Sequence, residues 1–261
     1  MSHLVVLNGS GSIARSVVKS HLANNVGKYA SVRLVDARPH RQSVYNWQRS
    51  LQGVTLKKSL ARSVQSIDLA LEGAQEVLYF THDYYTMSSD KNSHLQAAAK
   101  LAKKHGVSNL VAVCPIEQDL AWSEDEKNFY VKASEAEAAA LEALPSMTLL
   151  RTNLAFGPES HLVHYLAQCA LVGKSPYKNL VSPDNKFEYA PIHTNDIADA
   201  VGSALTSSGG WYSLNGPDKL TLRQMMDSIE EAAGRSAGQT KGPLFPPMSL
   251  LWEFMYGTGA D

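Results

Sequence analysis

Short apolar runs alternate with helix-length stretches through the first two thirds of this chain. Leu4-Val5-Val6-Leu7 is the first run, and apolar spacing over residues 12–24 predicts a helix behind it. A second strand over 31–35 closes on Asp36, and Val54-Thr55-Leu56 is a weaker third. Residues 63–71 have helical spacing, and Glu76-Val77-Leu78-Tyr79-Phe80 reads as a fourth strand. A helix over 94–105, rich in Ala and Lys, stops at Gly106. A fifth strand over 109–114, a helix over 129–144 and a sixth strand over 148–151 complete the series. Strands joined by crossover helices form a parallel sheet covered on both faces, so its strands read as continuous apolar runs. The pattern predicts a doubly wound, Rossmann-type α/β fold.

After Gly157-Pro158 the texture changes. A helix is expected over 161–172, a loop over 173–185 and a short strand over 189–192. Asn195-Asp196 can cap a helix running to about residue 205, and 211–214 reads as a further strand. Thr221, with Gln224 three residues later, opens a last helix in a capping-box arrangement. The expected division is a Rossmann part over 1–158 and a small α+β part over 159–261, interleaved in one structural unit. No internal repeat is visible.

Asn8-Gly9-Ser10-Gly11-Ser12-Ile13-Ala14 lies between the first strand and the first helix, the context in which a glycine-rich turn carries weight. Glycines let the backbone approach a pyrophosphate, and the helix N-terminus supplies N–H groups and a positive dipole end. The turn reads as G-x-G-x-x-A through Gly9, Gly11 and Ala14. It also reads as G-x-x-G-x-x-G with Asn8 and Ala14 at the outer places, since asparagine tolerates a left-handed turn and alanine allows close packing. Asn8, Gly9, Gly11, Ser12 and Ile13 are the candidate phosphate contacts. Asp36 suits the ribose hydroxyls of NAD, whereas Arg38 and Arg41 suit the 2′-phosphate of NADP. A carboxylate there repels a phosphate, so NAD is favoured; an aspartate merely ending a strand in a surface turn is the competing reading.

Several pieces in order then resemble the atypical and extended short-chain dehydrogenase/reductase (SDR) superfamily. They are the turn through Arg15, His105-Gly106-Val107-Ser108-Asn109-Leu110-Val111, and Lys132-Ala133-Ser134-Glu135-Ala136-Glu137. Leu150-Arg151-Thr152-Asn153 leads on to Phe156-Gly157-Pro158, then Pro191-Ile192-His193-Thr194-Asn195-Asp196-Ile197-Ala198-Asp199-Ala200 and Leu214-Asn215-Gly216-Pro217 follow. No piece is specific alone; their order and spacing are. Within the superfamily the chain is most similar to the NmrA-like proteins and the nucleotide-binding accessory subunits of mitochondrial complex I.

The resemblance implies a catalytic tyrosine four residues before a lysine, and a serine or threonine after the fifth strand. In active members the tyrosine exchanges the proton, the lysine lowers its pKa and holds the cofactor ribose, and the hydroxyl orients a carbonyl. Lys132 matches the lysine, but Asn128 stands at the tyrosine position, and an amide cannot trade a proton near neutral pH. Tyr130 is no simple replacement, because residues two apart on a helix point to opposite sides. No Ser or Thr occurs over residues 111–122, where Cys114-Pro115-Ile116 ends the fifth strand. Lys132 is therefore a remnant, with two of three catalytic roles empty. Active members also follow the fourth strand with small residues over which the cofactor lies; here Thr81-His82-Asp83-Tyr84-Tyr85 is bulky and polar. Thr81 is a candidate cofactor contact and His82 a candidate acid/base, against the plainer reading of a polar strand-end loop.

Other groups read as structural. His161 and His164 are three apart without a third ligand, so no metal is expected. Glu135 and Glu137 diverge as a pair, and a solvated helix face explains them. Cys114 at a strand end reads as inert packing, and His193 and Asp196 as a strand end and a helix cap.

Composition narrows the picture further. The 261 residues are 44% hydrophobic and 19% charged, with a net charge of −1 and no long basic run, which argues against nucleic acid. Two cysteines, Cys114 and Cys169, make no disulfide framework, and no apolar stretch reaches the roughly 18 residues of a membrane span. The first strand begins by about His3 or Leu4, leaving no room for a removable leader. Yet no acid precedes Asp36, while Arg15, Lys19, Lys28 and Arg33 do; this suits a first helix that lacks acids or an uncleaved mitochondrial import signal. The apolar tail over 244–256 either docks on its own domain or offers a patch to a partner or membrane surface. The combined expectation is an NAD- or NADP-binding SDR-fold protein without standard dehydrogenase chemistry, an accessory or redox-sensing subunit partnered with other proteins, mitochondrial rather than cytoplasmic. The alternatives are an NmrA-like NAD(P)H-dependent quinone reductase and a pseudo-enzyme that binds no nucleotide.

Overall fold

The computed structural model describes residues 2–9, 11–36, 55–60, 64–81, 94–115, 124–158, 160–172, 188–207 and 209–236. Six of its strands follow the apolar runs: β1 (Ser2–Leu7), β2 (Tyr29–Asp36), β3 (Thr55–Leu60), β4 (Glu76–Phe80), β5 (Asn109–Pro115) and β6 (Thr148–Thr152). Short pieces follow: β7 (Ala155–Phe156), β8 (Glu188–Tyr189), β9 (Ile192–His193), β10 (Gly210–Leu214) and β11 (Leu220–Thr221). The helices are α1 (Ser12–Asn24), α2 (Val64–Leu71), α3 (His94–Lys104), α4 (Glu124–Ala143), α5 (His161–Val172), α6 (Thr194–Ala204) and α7 (Leu222–Ala232).

Seven strands form one sheet in the order β10-β6-β5-β4-β1-β2-β3, parallel throughout. Because side chains alternate along a strand, each strand serves two cores. Leu4 and Val6 of β1 join Val32, Leu34, Leu78, Phe80, Val111 and Val113 on the face covered by α1 and α6. Val5 and Leu7 join Val77, Tyr79, Leu110, Ala112 and Cys114 on the face covered by α2, α3 and α4. The doubly wound expectation holds, and β10 and α6 carry the later part of the chain back onto the sheet and its first core.

Several boundaries differ for local reasons. α4 begins five residues before the expected 129, because Glu124-Asp125-Glu126 favours a helix N-terminus without showing any apolar period. The expected strand over 189–192 is two short pieces, since Pro191 has no N–H to continue a ladder. The cap of α6 is His193, not Asn195-Asp196: its ring accepts from the Asn195 backbone N–H at 3.2 Å. The Thr221–Gln224 capping box forms as expected. Gly106 ends α3 in the left-handed conformation, φ 66°.

Candidate functional site

Strand order reverses direction between β1 and β4, the place beyond whose C-terminal strand ends sheets of this kind bind ligands. The glycine turn leaves β1 at that point. Asn8 is the one non-glycine residue with positive φ (58°) among the described residues. It is held there from both sides: its backbone N–H donates to Val35 O at 2.8 Å, and Nδ2 donates to Phe80 O at 3.1 Å. Asn8 thus ties the ends of β2 and β4 to that of β1. A side chain at Gly9 would place Cβ 2.8 Å from Val6 Cγ1, so the chain can press onto β1 only as glycine. Gly11 is the N-cap of α1 in ordinary extended backbone (φ −60°, ψ 150°), and its carbonyl accepts from Arg15 N–H at 2.8 Å.

The N-cap residue of α1 is a glycine with no side chain to cap it, and the first turn holds no acid. The first four N–H groups of a helix have no partner within it, and an anion is a natural one. A pyrophosphate fits this donor set. The Ile13 side chain is buried in the core, so only its backbone is available to a ligand. Of Ser12 and Asp36 the structure describes the backbone, which opens α1 and ends β2; Arg38, Arg41 and His82 lie outside the described residues. Thr81 is buried, with its hydroxyl donating to Val113 O at 3.1 Å, and so serves the seam between β4 and β5. Asn128, Tyr130 and Lys132 all ride on α4, with side chains outside the described residues.

The end of β5 is built differently. Cys114 is 1% exposed, in register with Arg151 of β6. Glu137 of α4 is buried beside it, and Arg151 grips one carboxylate oxygen through Nε at 3.0 Å and Nη2 at 2.6 Å. The Arg151 guanidinium stacks on the half-exposed ring of Trp211 from β10, 5.2 Å from its centre. Burial and then the Glu137 charge push the Cys114 thiol well up, so it stays protonated. A buried neutral thiol is no nucleophile, which agrees with inert packing. Glu137 is a correction to the expected solvated face; only Glu135 is exposed there. The signal was Arg151, a cation in an apolar strand, which demands a buried anion.

A second buried group lies at the far end of α1. His21 Nε2 meets Tyr29 OH at 2.8 Å, Tyr29 donates to Glu76 at 2.6 Å, and Lys28 pairs with Glu76 at 2.9 Å. Burial first, and the Lys28 charge second, lower the His21 pKa to about 4. Sequence patterning gave no hint of it, since the four residues come from three separate elements. Among the described residues no cluster of three metal-ligating side chains exists, and no helix is long and apolar enough to cross a membrane.

No protein-family model matches the chain. It is 24% identical over 179 residues to the mitochondrial NADH-ubiquinone oxidoreductase 40 kDa subunit of Neurospora crassa, covering 65% of this chain and 44% of that protein. It is 29% identical over 152 residues to the mitochondrial NADH dehydrogenase (ubiquinone) 1 alpha subcomplex subunit 9 of Arabidopsis thaliana, covering 54% and 36%. The matches thus span less than half of those relatives. Among solved structures, dTDP-glucose 4,6-dehydratase from Bacillus anthracis in complex with NAD superposes with a TM-score of 0.74 at 17% identity, over 93% of this chain and 84% of that one. An NADPH-dependent quinone oxidoreductase from Escherichia coli, complexed with NADPH, gives 0.64 at 16% over 89% and 76%.

Proposed function

This chain has the fold of the extended short-chain dehydrogenase/reductase superfamily, and on that premise we propose that it binds a nicotinamide dinucleotide as a non-catalytic accessory subunit of a mitochondrial respiratory assembly. The observation that carries the reading is the turn at the end of β1: a left-handed Asn8, a side-chain-free Gly9 and an acid-free start to α1 behind an N-cap glycine. That combination has a use when an anion sits on it. Asn8, Gly9, Gly11, Ser12 and Ile13 would hold the pyrophosphate, Asp36 the adenosine ribose of NAD, and Lys132 the second ribose. Arg38 would serve NADP instead, and Thr81 would border the bed through the seam it closes. When bound, the cofactor supplies hydride chemistry; the chain's part is to seat it.

The accessory role is supported by Asn128 in place of the tyrosine, by the buried, protonated Cys114 in place of the hydroxyl, and by the sequence relatives, which are named as mitochondrial subunits. The natural protein should therefore be isolated in an assembly far heavier than its own chain. With NADH or NADPH and a panel of quinones it should turn over no faster than the solution reaction. Rapid quinone reduction that disappears in Lys132→Ala would replace this reading with a reductase. A monomer in its native extract would remove the subunit role.

A further inference from the structure

We propose that Glu137 is a positioning residue: clamped by Arg151, it fixes α4 on the sheet so that Lys132, on the same helix, meets the nucleotide ribose. The inference rests on the nucleotide reading above and assigns that site a support which no exposed residue provides.

The later half of α4, residues 134–143, reads Ser-Glu-Ala-Glu-Ala-Ala-Ala-Leu-Glu-Ala. Ala140 is its buried member in the core, with Leu141 and Ala143 packed at the margin. Apolar packing holds α4 against α3 and the sheet. Glu137 adds a directional bond to that packing. Its carboxylate takes two bonds from Arg151, whose strand runs in register with β5 at Cys114. Trp211, on the next strand out, closes over the guanidinium.

Stability alone does not explain such a group. A buried ion pair generally holds a fold no better than apolar residues of the same volume, because both charges lose their water. What it adds is angle and distance. Lys132 lies five residues before Glu137, about 7.5 Å along the helix axis. A shift of the helix by more than about half an ångström would exceed the precision that a binding group tolerates. The strut from Trp211 through Arg151 to Glu137 therefore connects the outer strand to the lysine helix.

A double-mutant cycle tests this with calorimetric titration of NAD and NADP into the full chain. Glu137→Gln and Lys132→Ala should each weaken the favoured dinucleotide about tenfold. The double variant should be no weaker than Lys132→Ala alone, because Glu137 acts through that lysine. A second variant separates position from stability. Glu137→Leu combined with Arg151→Met should recover the wild-type melting temperature while keeping the weakened affinity. Independent, multiplying losses in the cycle would overturn the proposal, as would recovery of both properties in the apolar pair. Wild-type affinity in Glu137→Gln, with Lys132→Ala impaired, would overturn it alone. Failure of the wild-type chain to bind either dinucleotide would overturn the nucleotide reading and this proposal together.

Discussion

At the end of β1, side chains are withheld: Gly9 has no room for a Cβ, and α1 starts from a glycine N-cap without an acid in its first turn. At the end of β5, side chains fill the space: Arg151 grips Glu137 beside Cys114 and beneath Trp211. On the nucleotide reading, one place keeps backbone donors for a ligand, and the other pairs polar groups internally. In a dehydrogenase of this fold both places would serve the reaction. The difference teaches that binding and chemistry are separable here, because each depends on a different strand end.

The largest effect is expected at the filled end. Arg151→Ala leaves Glu137 buried beside a thiol without its cation, a situation that costs about 3–5 kcal/mol. Urea denaturation should show that loss, and a loss below about 1 kcal/mol would mean that the Glu137–Arg151 pair is a surface feature.

Next in size is acid, acting on the far end of α1. His21 has a folded pKa of about 4 against 6.5 when free, so the unfolded chain binds the proton more readily between those values. Its contribution is fully present above about pH 6.5 and is lost as pH falls toward 4, by about 3 kcal/mol in all. Tyr29, Glu76 and Lys28 face it from the sheet side, and Ala198 and Gly202 from α6 bring no charge. His21→Gln should flatten the fall in denaturation midpoint across that range. An unchanged slope would show that His21 is protonated in the folded chain.

Smaller still is Gly9→Ala, which forces Cβ against Val6 Cγ1 and should cost about 1–3 kcal/mol. Its diagnostic is selectivity: dinucleotide binding should be abolished while the sheet survives in circular dichroism.

How much of this was legible in the sequence depends on the kind of signal. Apolar runs such as Leu4-Val5-Val6-Leu7 repeat locally, so the sheet strands and most helices could be read directly. Asn8 was legible as well, because a left-handed position leaves few choices of residue, and φ 58° is what its place in the turn required. Buried polar pairs were not. Glu137 sits in a polar helix and Arg151 in an apolar strand, and nothing local says that they meet. His21 and Glu76 are 55 residues apart along the chain, and only the parallel pairing of β1 with β2 and β4 brings them together. Those contacts are products of topology, which one-dimensional spacing does not encode.

The most direct measurement of the central claim is the melting temperature of the full chain with NAD, NADH, NADP and NADPH at millimolar concentration. A site occupied at about a hundred times its dissociation constant gains about 2.7 kcal/mol, which for a chain of this size raises the midpoint by roughly 5–10 °C. The account predicts that rise with at least one dinucleotide, larger for the NAD pair, and its disappearance in Gly9→Ala. No shift with any of the four would contradict it.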